Sequence, residues 1–584
     1  MQSSKFNKYL LNTKKISYTV CRKHVIKNEF ICHLHIFDLD MLDTMYGEYI
    51  NNLLSEYDII VTFVTQTKKV NYPFTFIQIK NQVGEKLCCL QYLKDENIVY
   101  NYILFLHAKD INSKKYFNPL IKNMSRIKLC KLLLKYKKIS GIFPNLKFNK
   151  LSDINELYYN ELCNFLNIKK NYIFCEGNCF LCTKEVIDKF CTNYNLMHTI
   201  LNDASSNMVA IERLWVDVIL QLNQNYLVLN EKNAIDTYNI KINAIYFPQF
   251  HEIPENNEFW GDGFTEWTLL KPFETTMQIN NINYPTLKPH SDIGYYTLNK
   301  PTLKNQISMA EKFKINGFII YHYWFDNGKK VMYKPLECFL DNDITFPFAI
   351  SWANESWSRR WDGNNNDVLI AQTYNEESFI PHIQYLIQFF KRPNYIKNDQ
   401  ECILYIYNLS CIPANMLSIW DTELKKHNLK IKIINTENSF KTNHDYGKNN
   451  FLFEPMYSSC YVPQHSTEEC STIDYCDIVN KYKSTIPNKH LGLPLYWNNK
   501  VRRKKNKFLN IKNFTHEHLE LFLLLLLAEH VSKYKNIYTN NLPLLENFIN
   551  INAWNEWNEQ AVLEPTTVDG YKTLNIIYNN ICNL

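Results

Sequence analysis

At 584 residues the chain is too long for one ordinary hydrophobic core, so two or three domains are expected. Its 46% hydrophobic and 21% charged residues exclude a disordered class, and a net charge of +6 spread over scattered lysines excludes binding driven by bulk charge. The 17 cysteines are odd in number and lack framework spacing, which excludes a disulfide scaffold.

In chain order, "MQSSKFNKYLLNTKK" has no apolar core, so no signal peptide is read there. Strand-like runs follow in "HLHIFDLDML" (33–42), "YDIIVTFVT" (57–65), "YILFLHAKD" (102–110) and "ISGIFPN" (139–145), with helices between them. This predicts an α/β domain over residues 1–235. Asp38-Leu39-Asp40 matches the Asp-x-Asp of metal-nucleotide sites, but two acids at a strand end more often start a helix. Cys175, Cys179 and Cys182 in "FCEGNCFLC" lack a fourth ligand, so no zinc site is assigned. Glycine-rich phosphate loops are absent. Free thiols point to a reducing compartment, and the longest apolar run, "LFLLLLLA" at 521–528, cannot span a bilayer. A cytoplasmic protein is expected.

Ten of the eleven tryptophans lie after residue 240, and a polar junction at 230–239 precedes them. Eight apolar runs then recur at 243–250, 317–325, 346–353, 402–408, 430–437, 451–458, 491–498 and 547–554. Helical stretches intervene at 301–314, 376–391, 413–427 and 514–533. Strand–helix alternation repeated eight times predicts a (β/α)8 TIM-type barrel over residues 236–584. The runs end in residues able to touch a ligand, among them Gln249, His251, Asn354, Glu355, Glu437, Glu454, Asn498 and Glu556, on the barrel face that carries active sites. The basic run "VRRKKNKF" at 501–508 reads as a solvated loop rather than a nucleic-acid arm.

Four constellations carry chemistry. "INAWNEWNEQAVLEP" (551–565) sets Glu556 and Glu559 between Trp554 and Trp557. Two carboxyls flanking an anomeric carbon are what glycosyl transfer and hydrolysis need. A helical turn there would bring them to roughly 5–6 Å, the close spacing of retaining enzymes. "ISWANESWSRRWDG" (350–363) offers Trp352, Trp357, Trp361, Asn354, Glu355 and Asp362 to a sugar, and Arg359 and Arg360 to an anion. "IYFPQFHEIPENNEFWGDGFTEW" (245–267) predicts an ordered loop over the barrel mouth, with Tyr246, Gln249, His251, Glu266 and Trp267 as substrate contacts. In "IIYHYWFDN" (319–327), alternation sends His322 and Trp324 to one side and Tyr321 and Tyr323 to the other. His322 and Trp324 are taken as the binding pair.

These stretches, in order over about residues 242–572, resemble the WbsX family, glycosyltransferases of surface-polysaccharide synthesis related to the endo-α-mannosidase barrels. The resemblance implies a (β/α)8 fold and makes Glu556 and Glu559 the catalytic pair. By it, the first glutamate deprotonates the sugar 2-hydroxyl and the second acts as general acid and base. Gln560 stands where the motif carries glycine. Residues 1–230 more faintly resemble the rhamnan synthesis F family through "YNYILFLHAKD", "ISGIFPN", "NYIFCEGNCFLCTKEVID" and "ERLWVDVIL". That implies a role in building rhamnose-containing or similar glycans, without catalytic residues.

The expected function is glycosyl transfer in polysaccharide or glycoconjugate (for instance lipopolysaccharide) assembly, on a glycan substrate. The barrel requires no cofactor or metal, and a sugar-nucleotide donor stays open, as does the oligomeric state. The alternatives are an endo-acting retaining glycoside hydrolase and a non-catalytic glycan-binding protein.

Overall fold

Eight short runs rich in isoleucine, phenylalanine and tyrosine close into a parallel barrel in the computed structural model. The structure describes residues 18–80, 85–108, most of 111–143, scattered stretches of 144–228, and 239–582 except 359–367, 399–400, 438–448, 483–488, 504–506 and 533–546. The strands are β1 (Ile240–Tyr246), β2 (Gly317–Trp324), β3 (Phe348–Trp352), β4 (Glu401–Ile406), β5 (Lys430–Glu437), β6 (Asn450–Leu452), β7 (Lys489–Pro494) and β8 (Asn547–Asn552). Each pairs in parallel with the next, and β8 returns to β1, so no barrel edge is left open. All eight predicted strands are present. Helices α1 (Lys300–Lys312), α2 (Phe379–Phe390), α3 (Ala414–Lys425), α4 (Lys500–Arg503) and α5 (His516–Ser532) lie in the connections. Local chemistry starts α1: Asn299 accepts from the Thr302 amide at 3.0 Å, and Pro301 sits in the first turn, where its missing N–H costs nothing.

The interior is identified by a buried cluster drawn from β1 through β6 and β8, including Ile245, Ile319, Ala349, Ile403, Ile434, Phe451 and Phe548. Beside it runs a polar network. Asn243 Nδ2 donates to Asn550 Oδ1 at 3.1 Å, Asn550 Nδ2 to Tyr405 Oη at 3.1 Å, and Tyr405 Oη meets His490 Nδ1 at 2.8 Å. Buried groups of this kind persist because they satisfy one another.

Gly492 on β7 is required by space. A Cβ there would lie 2.0 Å from the Leu452 carbonyl oxygen and 2.8 Å from Glu454 Cγ. Glu454 fills that room, 1% exposed, with Oε2 accepting from the Ser458 amide at 3.1 Å and Oε1 unpartnered. Burial pushes its pKa up to about 7. The folded state therefore prefers Glu454 protonated, while the unfolded chain releases that proton near pH 4.3. Its contribution to stability is complete below pH 4.3 and is lost as pH rises to about 7. Glu454→Gln is expected to remove this slope, gaining on the order of 2–3 kcal/mol relative to wild type between pH 4.5 and 7.5. Urea unfolding of both proteins across that range is the check, and parallel curves would show that Glu454 is ionised in the fold.

The chain divides into two compact units, residues 1–238 with 527–542 and 583–584, and residues 239–526 with 543–582. The first unit holds a mixed eight-stranded sheet in the order Tyr18–Arg22, Thr75–Ile79, Asp58–Thr65, Phe30–Asp38, Tyr102–Ala108, Phe180–Thr183, Ile139–Phe143, Asn225–Val228. Four of these strands were predicted. Asp38 caps the following turn, accepting from the Asp40 amide at 3.1 Å, ahead of the helix Leu42–Glu56. No helix among the described residues is long and apolar enough to cross a membrane.

Candidate active site

The sequence after β8 makes a tight hairpin. Asn555–Glu556 pairs antiparallel with Ala561–Val562, and a 3-10 turn spans Trp557–Glu559 between them. Gln560 closes the turn in the left-handed region at φ 58°, which a glycine would adopt without strain. Its side chain explains why glutamine is held there. Oε1 accepts from the Leu287 amide at 2.6 Å, and Nε2 donates to the carbonyls of Trp557 at 2.8 Å and Leu287 at 3.2 Å. Three hydrogen bonds of about 1 kcal/mol each outweigh a left-handed penalty of roughly 1–2 kcal/mol.

The hairpin delivers Glu556 and Glu559 to one guanidinium. Arg502 Nη2 donates to Glu556 Oε2 at 2.9 Å and to Glu266 Oε2 at 2.9 Å, and Nη1 donates to Glu559 Oε1 at 3.2 Å. The two glutamates are thus separated by no more than one guanidinium and two hydrogen bonds. Glu266 arrives from the loop after β1 and is fixed by Asn558, whose Nδ2 donates to both its carbonyl at 2.9 Å and its carboxylate. Arg502 sits on α4, with the Phe247 ring 5.3 Å from its Cζ.

This corrects the reading of 501–508 as a solvated loop: Val501 and Arg502 are 1% and 4% exposed, and Arg502 is the counter-charge of the site. Burial disfavours its charge, but the three carboxylates win and raise its pKa. Burial also raises Glu556 well above the usual carboxylate range, opposed by Arg502 and assisted by Glu559 and Glu266. Glu559 is raised by the same burial, against Arg502 and Arg503 and with Glu266. Three carboxylates thus converge on one buried guanidinium, with burial favouring the protonated forms of Glu556 and Glu559 and Arg502 opposing it.

On β2 the alternation separates the two sets as expected, and the structure turns Tyr321 and Tyr323, rather than His322 and Trp324, towards the glutamates. Tyr321 packs on the interior cluster, and Tyr321 and Tyr323 both feel the charge of Glu556 after burial as the chief cause of their raised pKa. Both keep their hydroxyl protons and stay partly exposed, able to donate to a ligand. Tyr407, beyond β4, contributes to the same field. His322 and Trp324 face the helices instead. His322 Nε2 lies 3.0 Å from His382 Nε2 on α2, and Trp324 stacks on the His382 ring at 4.7 Å. Burial lowers the His322 pKa to about 3, so the imidazole remains neutral.

Trp352, Tyr246 and Trp554 also belong to this outer layer. Trp352, 1% exposed, donates from Nε1 to the Trp324 carbonyl at 3.3 Å and packs on Trp420 at 5.8 Å. Trp352→Ala is accordingly expected to cost about 3–5 kcal/mol of stability and leave glycan affinity unchanged, which denaturation and ligand titration would separate. Tyr246 donates to Gln306 Oε1 at 2.6 Å, and Trp554 packs on Phe318 at 5.2 Å. Asn354 ties strand ends together, donating to Tyr374 Oη and the Asn408 carbonyl, both at 2.8 Å, and accepting from the Asn408 amide at 2.7 Å. Glu355 accepts from Asn408 Nδ2 at 3.4 Å.

Nearer the pair, Trp267 donates from Nε1 to the Tyr296 carbonyl at 2.6 Å and packs on Trp557 at 5.8 Å. Gln249 donates to Asn256 Oδ1 at 3.2 Å and its carbonyl accepts from the Glu266 amide at 3.3 Å, while His251 is buried nearby in the chain. Trp361, Asp362, Arg359 and Arg360 lie outside the described residues.

Sequence reasoning passed over Glu564. Its carboxylate accepts from Trp557 Nε1 at 2.8 Å, Tyr296 Oη at 2.9 Å and Gln306 Nε2 at 2.7 Å, which fixes the Trp557 indole. Burial lifts its pKa to about 7 against those donors. Among the described residues no group of three or more His, Cys, Asp or Glu could hold a metal ion.

A closed parallel barrel with buried glutamates at the strand ends defines a class, and the sequence places the chain within it. The profile of the family Glycosyltransferase WbsX matches residues 242–577, and the chain belongs to that family. Among curated relatives, the uncharacterized protein WxcX of Xanthomonas campestris pv. campestris (strain B100) is 28% identical over 347 residues, which cover 57% of this chain and 48% of the relative. The chain thus spans about half the length of the curated relatives it matches. Among solved structures, the GH99 endo-alpha-mannosidase from Bacteroides thetaiotaomicron shows 11% identity and a TM-score of 0.35, covering 59% of this chain and 96% of that one. A glycoside hydrolase-like protein shows 14% identity and a TM-score of 0.34, covering 58% and 93%. The fold assignment rests on the strand order rather than on these likenesses.

Proposed function

We propose that residues 236–584 form a glycosyl-transferring domain that works on a glycan in polysaccharide or glycoconjugate assembly, with Glu556 and Glu559 as its catalytic pair. The observation that carries this reading is the convergence of Glu556, Glu559 and Glu266 on the buried Arg502. Glu556, with 7% of its side chain exposed, lies deep beside Tyr321 and Tyr323 and acts on the sugar 2-hydroxyl. Glu559, 13% exposed, lies nearer solvent, protonates the leaving oxygen and then activates the incoming hydroxyl. Arg502 holds the pair and balances part of its charge, and Glu266 fixes the guanidinium from the other side. Tyr321 and Tyr323 offer hydroxyl donors to the bound sugar.

Residues 1–235 are proposed as a separate α/β domain serving the same assembly. The family supports transfer as the reaction. Water in the acceptor position would turn the same chemistry into hydrolysis, so the test follows both products. The full chain is incubated with sugar nucleotides and mannose- or rhamnose-containing oligosaccharides, while released nucleotide and shortened glycan are measured in parallel. Acceptor-dependent nucleotide release supports transfer. Glycan shortening without it, absent in Glu559→Gln, would make the barrel a hydrolase.

A further inference from the structure

Behind the catalytic hairpin the barrel domain carries a cavity of about 210 Å³ that the proposed chemistry does not use. Gln560 and Val562 line one wall, so the cavity and the catalytic pair share the turn 557–562. Tyr284, Tyr496 and Phe514 line another part, all three partly exposed. Tyr496 and Phe514 meet at 5.9 Å between ring centroids. Polar groups complete the lining. Asn513 and Asp569 are accessible, and His516 is held by a contact of 3.3 Å between its Nε2 and Thr573 Oγ1.

The chemistry of the lining restricts the occupant. No lysine or arginine is among the described lining residues and one carboxylate, Asp569, is, which disfavours a phosphate or nucleotide. A long alkyl chain would leave Asn513, His516 and Asp569 facing apolar surface, at a cost in lost hydration. The volume falls below the roughly 300–1,000 Å³ of sites for drug-sized ligands, so it accommodates one small ring rather than a nucleotide sugar. Aromatic faces with hydrogen-bonding groups between them suit a pyranose, which has apolar C–H faces and a polar rim.

We propose that this cavity is a second saccharide site, binding one neutral pyranose residue of a glycan on the far side of the catalytic turn. That the glycan is also the one processed by the barrel rests on the function proposed above; the binding itself does not. Because Gln560 bonds both Leu287 in the cavity wall and the Trp557 carbonyl, an occupant of the cavity contacts the element that carries Glu559.

The test photo-crosslinks the full chain with diazirine-tagged methyl glycosides and disaccharides of mannose, glucose, galactose and rhamnose. Labelled peptides are mapped by mass spectrometry, and turnover is measured in parallel. Labelling is expected on peptides holding Tyr284, Tyr496 or Phe514, competed by untagged sugar and not by a nucleoside diphosphate or octanol. Tyr496→Ala should lower that labelling at least fivefold and Tyr496→Phe should retain it, with labelling near Glu556 unchanged in both. Label confined to the catalytic mouth, no label anywhere, or competition at the cavity by nucleoside diphosphate or octanol overturns the proposal. Cavity labelling in a chain that neither transfers nor hydrolyses sugar would leave this site standing and remove the proposed function.

Discussion

Glu559→Gln is expected to lower kcat by about 10²–10⁴-fold, the range associated with losing a positioned proton donor, with glycan binding kept within a few-fold. The change is nearly isosteric, and the amide oxygen still accepts from Arg502 Nη1 where Oε1 now does at 3.2 Å. The backbone is untouched: the Glu559 carbonyl still accepts from the Asn498 amide at 2.9 Å. What is lost is a group that can release a proton to a leaving oxygen. Pre-steady-state turnover with a matched binding titration separates the two effects. Full activity in Glu559→Gln would remove Glu559 from the mechanism, and a parallel collapse of binding would make it a structural anchor instead.

Arg502→Met should cost about 3–5 kcal/mol of stability at pH 8, because it leaves three buried carboxylates without the guanidinium they share. The pH dependence follows from the direction of the shifts. Without Arg502 the positive charge that lowers the Glu556 and Glu559 pKa values disappears, so both rise further above their unfolded value of about 4.3. Stability linked to a raised carboxyl is complete below the unfolded pKa and is lost as pH rises through the folded one. The variant should therefore approach wild-type stability near pH 4.5 and fall away from it towards pH 8. Arg502→Lys should recover part of the stability through its charge and little of the turnover, since an ammonium cannot reproduce the fork that spans Glu556, Glu266 and Glu559. Urea unfolding at both pH values is the measurement. Equal stability of Arg502→Met and wild type at pH 8 would mean that the carboxylates are neutral in the fold.

Much of this was determined locally. The eight barrel strands were legible because each is a short apolar run bounded by polar loop residues. The nearness of Glu556 and Glu559 was legible because residues three apart in one turn come together in space. Arg502 was not. It sits in what reads as an ordinary basic run, and its partners Glu556 and Glu266 lie 54 and 236 residues away, so only barrel closure brings them to its guanidinium.

The choice between Tyr321 and His322 shows the same limit. Parallel barrel strands are buried on both faces, towards the axis and towards the helices, so both sets of alternate residues are apolar or aromatic. Period-two alternation then separates the two sets without saying which looks inward. Pairing of β2 with β1 and β3 makes that choice, turning Tyr321 and Tyr323 to the carboxylates and sending His322 and Trp324 under α2, beside Trp352. The sequence by itself determined the strands, their order and the position of the glutamate pair; tertiary closure decided which side chains share their pocket, because contact across a barrel depends on the register of distant strands and not on spacing along the chain.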